Sequence, residues 1–195
     1  MNQAKHRSKW LWAFLVVAVV LYAALIASPA MARGPGGGDC GGGCGGGGGG
    51  DGGSETPLSD YEKQALNKAI DEEYYAKAVY EKVMDTFGPI SPFTWITRDE
   101  QMHVNWVAKL LVKYGLPVPP DGWSGNIALE FTSKQQACLV GAEAESYNAG
   151  VYDEMIPQIS HTDIVSTFIK LRDVSRYRHL PAFQEWADIY ESLGE

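Results

Sequence analysis

Residues 59–87 read SDYEKQALNKAIDEEYYAKAVYEKVMDTF. Ser59-x-x-Glu62 at the head of this stretch has the form of a capping box, in which hydroxyl and carboxylate each satisfy a free backbone N–H at a helix start. Behind it Leu66, Ala69, Ile70, Ala76, Tyr80, Val83, Met84 and Phe87 recur at three- and four-residue intervals. That period places them on one stripe of a long helix, and Gly88-Pro89 ends it. Glu73 sits inside the stripe, where a carboxylate is out of place in an apolar interior.

The same punctuation continues outward. Ser91-Pro92 restarts a helix, with Ser91 as the expected N-cap and proline at the first helical position. Its stripe is Phe93, Ile96, Glu100, His103, Val104, Val107, Leu111 and Tyr114, and Gly115 closes it. A loop with Pro117, Pro119, Pro120, Gly122 and Gly125 follows. Thr132-x-x-Gln135 is the expected opening of a third helix, striped by Cys138, Gly141, Ala142, Glu145, Asn148, Tyr152 and Ile156, with Pro157 at its end. Cys138 reads as a buried thiol. A fourth helix runs from about Thr162 to Leu193, striped by Val165, Phe168, Arg172, Ser175, Arg176, His179, Phe183, Trp186 and Tyr190. Pro181 cannot bond the carbonyl of Tyr177, which predicts a kink near His179. No stretch alternates with period two long enough for a strand. The expectation for residues 54–195 is an all-α, antiparallel four-helix bundle.

The remainder of the 195 residues is organised differently. Lys5, Arg7 and Lys9 precede an apolar run over 10–27, and Ala30-Met31-Ala32 follows. This is the pattern of a secretory signal peptide with cleavage after Ala32, making the protein secreted or periplasmic. A retained anchor is the competing reading, because the run is just long enough to span a bilayer. Fifteen of the 22 glycines fall within residues 34–53. That tract has nothing to bury and reads as a linker or tail. It carries Cys40 and Cys44, read as a disulfide in an oxidising compartment or as a soft-metal or redox handle.

The net charge of −8 argues against a nucleic-acid binder, which needs an excess of Lys and Arg; membrane association would come only through an uncleaved N-terminus. No G-x-S-x-G elbow marks a hydrolase. The glycine tract has no Lys-Ser or Lys-Thr ending of the kind that cradles phosphate.

Glu73, Glu100, His103, Glu145 and His179 all interrupt apolar stripes, and every helix contributes at least one. An unpartnered buried carboxylate costs several kcal/mol, so a shared compensating charge is expected. A metal ion is the simplest. Glu100-x-x-His103 has the i, i+3 spacing that aims carboxylate and imidazole into a bundle, and such donors suit iron, manganese or zinc. The metal-free alternative is a buried salt-bridge core.

Four stretches carry a resemblance. EEYYAKAVY (72–80) is similar to the rubrerythrin pattern E-x-x-A-x-x-x-Y, DEQMH (99–103) to its E-x-x-H, AEAESYN (142–148) to A-E-G-E-N-Y-E, and RYRHLPAF (176–183) to its second E-x-x-H. From Leu58 to about Trp186 the chain resembles the ferritin-like superfamily, and within it an uncharacterised rubrerythrin-related family designated only as a domain of unknown function. The resemblance implies Glu73, Glu100, His103, Glu145 and His179 as ligands of iron, and oxidase or peroxide-reductase chemistry. It implies Tyr80 and Tyr147 as neighbours of the metals. No pair of Cys-x-x-Cys motifs is present for a rubredoxin iron, so electrons would come from an external donor.

Two positions depart from that pattern. Asn148 stands in place of a Glu, and Arg176 in place of the Glu of the fourth helix. Arginine offers only donors, so Arg176 is expected to pair with Glu73 or Glu145 and to displace one ion. Two ions, one ion or none are therefore all open from the sequence, as is homo-oligomerisation. The alternative function is a metal-sequestering or metal-free bundle acting as a binding module.

Overall fold

The computed structural model describes residues 56–195. The export segment, the glycine tract and the Cys40/Cys44 pair lie outside the described residues. Among the described residues the structure is helical with no strand, and the helices form a four-helix bundle.

Helix α1 spans Asp60–Phe87 and carries the capping box that the sequence announces, with Ser59 and Glu62 bonding each other's backbone N–H groups. Helix α2 spans Phe93–Lys113. Its N-cap is Pro92, reached through a cis Ser91–Pro92 bond, and not Ser91. Gly115, at φ +69°, ends α2: its N–H bonds the carbonyl of Val112 and that of Leu116 bonds Leu111, the Schellman arrangement that needs a left-handed residue. Helix α3 spans Lys134–Met155 and starts one residue later than the sequence suggests. Ser133 is the cap, accepting from Gln136 N–H, while the Gln136 amide oxygen accepts from Thr132 N–H. A 3₁₀ turn, Ile156–Gln158, contains Pro157 and closes it.

The fourth rod has three parts: α4 (Thr162–Val174), a π turn (Ser175–His179) and α5 (Leu180–Leu193). The irregularity falls where Pro181 predicts it. Leu180 N–H bonds Ser175, five residues back, and Pro181 has no N–H to restore the α ladder.

Two apolar clusters fill the interior. One gathers Leu66, Ile70, Val107, Leu111, Tyr152, Ile164, Phe168 and Leu171. The other gathers Val79, Tyr80, Val83, Phe93, Ile96, Cys138, Phe183 and Ala187. Each fully buried large side chain contributes roughly 1.5–3 kcal/mol. Helix α1 and the fourth rod run from the first cluster to the second, and α2 and α3 run from the second to the first. The two sequence-adjacent pairs are thus antiparallel, but α2 and α3 point the same way. The bundle is therefore not a simple up-down-up-down arrangement. The connection 114–133 makes the return, with Leu116 packed on the first cluster and Ile127, Leu129 and Phe131 on the second.

Glu62 locks the end of α1 to the loop before α4. It is buried, and its carboxylate accepts from Ser59, from the backbone N–H groups of Ser160 and His161, and from their side chains. No helix among the described residues is long and apolar enough to cross a membrane.

Candidate metal centre

Between the two apolar clusters lies a polar layer. On α1 it follows Ile70 and precedes Ala76, which leaves Glu73; on α2, between Ile96 and Val104, it holds Glu100 and His103. On α3, between Ala142 and Val151, come Glu145 and Asn148. On the fourth rod, between Leu171 and Phe183, come Ser175 and His179. On α1, α2 and α3 helical periodicity turns these residues inward, because each continues the stripe of its apolar neighbours; on the fourth rod the π turn sets which residues share the face of His179. All of them are buried, the three glutamates and two histidines to 1% exposure or less.

The five residues form two triads that share one member. Glu73, Glu100 and His103 make the first; Glu100, Glu145 and His179 make the second. Within each, one ligand atom per residue lies within 4.8 Å of the others. The histidine rings stack with centroids 5.5 Å apart. In the first triad His103 Nδ1 donates to Glu100 Oε2 at 2.8 Å and to Glu73 Oε2 at 3.1 Å. In the second, His179 Nδ1 lies 3.0 Å from Glu100 Oε1 and 3.4 Å from Glu145 Oε1. Those contacts are not aligned as hydrogen bonds: Nδ1 of His179, Oε1 of Glu100 and Oε2 of Glu145 are buried without a hydrogen-bond partner.

The outer ring of the site is reciprocal. Tyr80 on α1 donates to Glu145 Oε1 on α3 at 2.6 Å, and Tyr152 on α3 donates to Glu73 Oε1 on α1 at 2.5 Å. Each tyrosine lies seven residues after the carboxylate of its own helix. Nε2 of His179 pairs with Asp99 Oδ2 at 3.3 Å, and Asp99 is held in turn by Arg178. That bond turns Nδ1 of His179 toward the carboxylates, the way an outer carboxylate orients a ligating imidazole. Trp106 packs on His103 and Trp95 on His179 at centroid distances of 5.3 and 5.7 Å.

Electrostatics follow from three buried carboxylates beside two imidazoles. Burial pushes His103 toward its neutral form, but Glu100 and Glu73 outweigh it and raise its pKa to about 11. For His179 the same contest against Glu100 and Glu145 ends at about 10. Burial raises Glu73 to about 7, with His103 pulling down and Glu100 pushing up. Both buried tyrosines are driven well above 10 by burial and by their carboxylate partners, so they stay protonated and donate.

Some expected neighbours are elsewhere. Arg176 does not pair with Glu73 or Glu145. Its guanidinium reaches Asp153 at the surface, beside Arg172, which bonds Asp153 and Asp173. The cause is the π turn. A π turn takes more residues per revolution than the 3.6 of an α-helix, so the residue four before His179 shares its face and the residue three before it turns outward. Ser175 is therefore buried and Arg176 is not. Asn148 is buried with Oδ1 unpartnered. Tyr147 is only partly buried, near Lys68 and Glu72, away from the polar layer. Tyr152 takes the role given to Tyr147; its seven-residue distance from Glu145, matching Glu73 to Tyr80, is the signal that was in the sequence. Asp99 carried no such signal, because its partner His179 is 80 residues away.

No known family profile matches this chain, and no curated protein sequence does. Among solved structures it is similar to the crystal structure of a hypothetical protein from Methanococcus jannaschii DSM 2661. The identity is 26% and the TM-score 0.63, over 70% of this chain and 85% of that one. The likeness is one of fold, to a protein described only as hypothetical.

Proposed function

We propose that this protein is an exported, ferritin-like and rubrerythrin-related bundle that binds two divalent transition-metal ions, iron foremost, and uses them on O₂ or H₂O₂. The observation that carries the reading is the set of buried, unpartnered atoms in the second triad: Glu100 Oε1, Glu145 Oε2 and His179 Nδ1. Buried polar atoms are nearly always satisfied, and three converging oxygen and nitrogen donors are a ligand set. A metal-free salt-bridge core accounts for the first triad, where His103 is hydrogen-bonded to both carboxylates. In the second triad it brings His179 within ion-pair distance of Glu100 and Glu145 but forms no aligned hydrogen bond, and it leaves Oε2 of Glu145 without a partner.

Glu73 and His103 would hold one ion, Glu145 and His179 the other, with Glu100 between them. When bound, a pair of ferrous ions supplies two electrons to the oxidant. The chain's own residues supply the rest. Tyr80 and Tyr152 fix the orientation of Glu145 and Glu73 by hydrogen bonds. Asp99 sets which nitrogen of His179 faces inward. The apolar clusters above and below exclude water. The single long crossover between α2 and α3 supports the ferritin-like reading, since such bundles have one. Residues 1–32 are read as the export signal, and the electron donor as a separate protein.

Anaerobic titration of the full chain with Fe(II) tests the proposal. Two ions per chain are expected, both lost in Glu100→Ala because both triads share that residue. Addition of H₂O₂ should then be consumed at one equivalent per two ferrous ions oxidised. A folded chain that retains no iron overturns the proposal. Retention without peroxide or O₂ consumption leaves the metal-sequestering function in its place.

A further inference from the structure

The site has an internal two-fold relation that one position breaks. Glu73 and Tyr80 on α1 match Glu145 and Tyr152 on α3. Glu100 and His103 on α2 ought then to match a carboxylate and His179 on the fourth rod, but the residue that the π turn places on the inner face with His179 is Ser175. Its hydroxyl is buried and unpartnered. The Ser175 side chain, more than nine-tenths buried, thus brings an unpartnered hydroxyl to the position where the fourth carboxylate is missing.

Charge counting points the same way. Two divalent ions bring four positive charges, Glu73, Glu100 and Glu145 bring three negative ones, and neutral imidazoles bring none. Arg176, which faces Asp153 at the surface, alters nothing in the layer. One positive charge is left over in an interior where uncompensated charge is costly.

We infer that the second triad takes a small exogenous carboxylate, of formate or acetate size, which replaces the missing fourth carboxylate and accepts from the Ser175 hydroxyl. A two-oxygen anion can accept from the Ser175 hydroxyl with one oxygen while the other faces the metal side, as the carboxylate of a glutamate at this position would. The inference rests on the metal-binding function proposed above.

The test uses Co(II) as the probe metal in the full chain, followed by its visible absorption. Cobalt is titrated first, and acetate is then added to the loaded protein. Expected is saturable acetate binding at one per chain, seen as a change in the cobalt bands. Ser175→Ala, which adds no bulk, should weaken acetate about tenfold, the loss of one hydrogen bond to a charged group. Ser175→Glu should still load two cobalt ions and no longer respond to acetate, because the side chain fills the position. Two cobalt ions with no acetate response overturns the carboxylate site and leaves metal binding standing; so does a response that neither variant alters. Failure to bind cobalt in a folded chain overturns the metal function, and this inference with it.

Discussion

Tyr80 donates to Oε1 of Glu145 across the bundle, from α1 to α3, at 2.6 Å. Its mirror, Tyr152 to Glu73, runs from α3 to α1. The two bonds tie the carboxylates at opposite ends of the polar layer to the helix facing them, and both donors are buried completely.

Removing either hydroxyl should therefore have the same cost. Tyr80→Phe and Tyr152→Phe each leave a buried carboxylate oxygen without its donor, and each should destabilise the metal-free protein by about 1–3 kcal/mol. Metal loading restores a partner to that carboxylate, so the loss should shrink in the loaded form. Urea denaturation with and without Co(II) measures both numbers, and an equal loss in the two forms would refute the coupling.

Metal loading should release protons. At neutral pH both histidines of the metal-free site are imidazolium, with pKa values near 11 and 10, and an imidazolium has no lone pair to give. Binding of two ions should expel about two protons, and affinity should climb with pH up to those values. Titration in two buffers of different ionisation enthalpy counts the protons. Release of none would mean that the histidines do not ligate.

Glu62 predicts the acid behaviour of the fold. Burial would raise its pKa, but the bonds from His161, Ser59 and Ser160 outweigh burial and hold it well below its ordinary 4.5. A depressed carboxylate contributes stability that is fully present above its unfolded value and is lost as pH falls through the folded one. The contribution of Glu62 should be intact at neutral pH and decline below about 4.5. Glu62→Ala should cost about 3 kcal/mol at neutral pH, and its stability should fall less steeply on acidification than that of the unmodified chain. Parallel acid profiles for the two would refute this.

Gly141 is fixed by packing. A Cβ there would lie 2.7–2.8 Å from three ring atoms of Phe183. That ring is itself held between Tyr80 and Phe93 at centroid distances of 5.1 and 5.0 Å. Gly141→Ala gains about 1 kcal/mol of helix propensity but overpacks a rigid aromatic group, which typically costs 1–3 kcal/mol. Thermal denaturation should show a net loss, and a more stable variant would mean that Phe183 has room to move. Because Phe183 abuts Tyr80, the variant should also weaken the Tyr80–Glu145 bond.

Much of what depends on residues within one or two helical turns was legible in the sequence, although the caps of α2 and α3 each fall one residue later than expected. The capping box at Ser59, the four helices, the disturbance near His179 and the inward set of Glu73, Glu100, His103, Glu145 and His179 all follow from a 3.6-residue period and from the chemistry of caps and proline. What needed the tertiary structure is what joins residues far apart or shifts the period itself. The sharing of Glu100 between two triads, the Asp99–His179 pair and the choice of Tyr152 over Tyr147 depend on how α1, α2 and α3 face one another. The parallel direction of α2 and α3 depends on where the connection 114–133 packs. The exchange of Arg176 for Ser175 depends on a π turn, which adds residues to one revolution and so rotates every assignment made on an α-helical wheel. A sequence pattern fixes which residues point inward only while the period holds; at Ser175–His179 it changes, and there the three-dimensional fold decided.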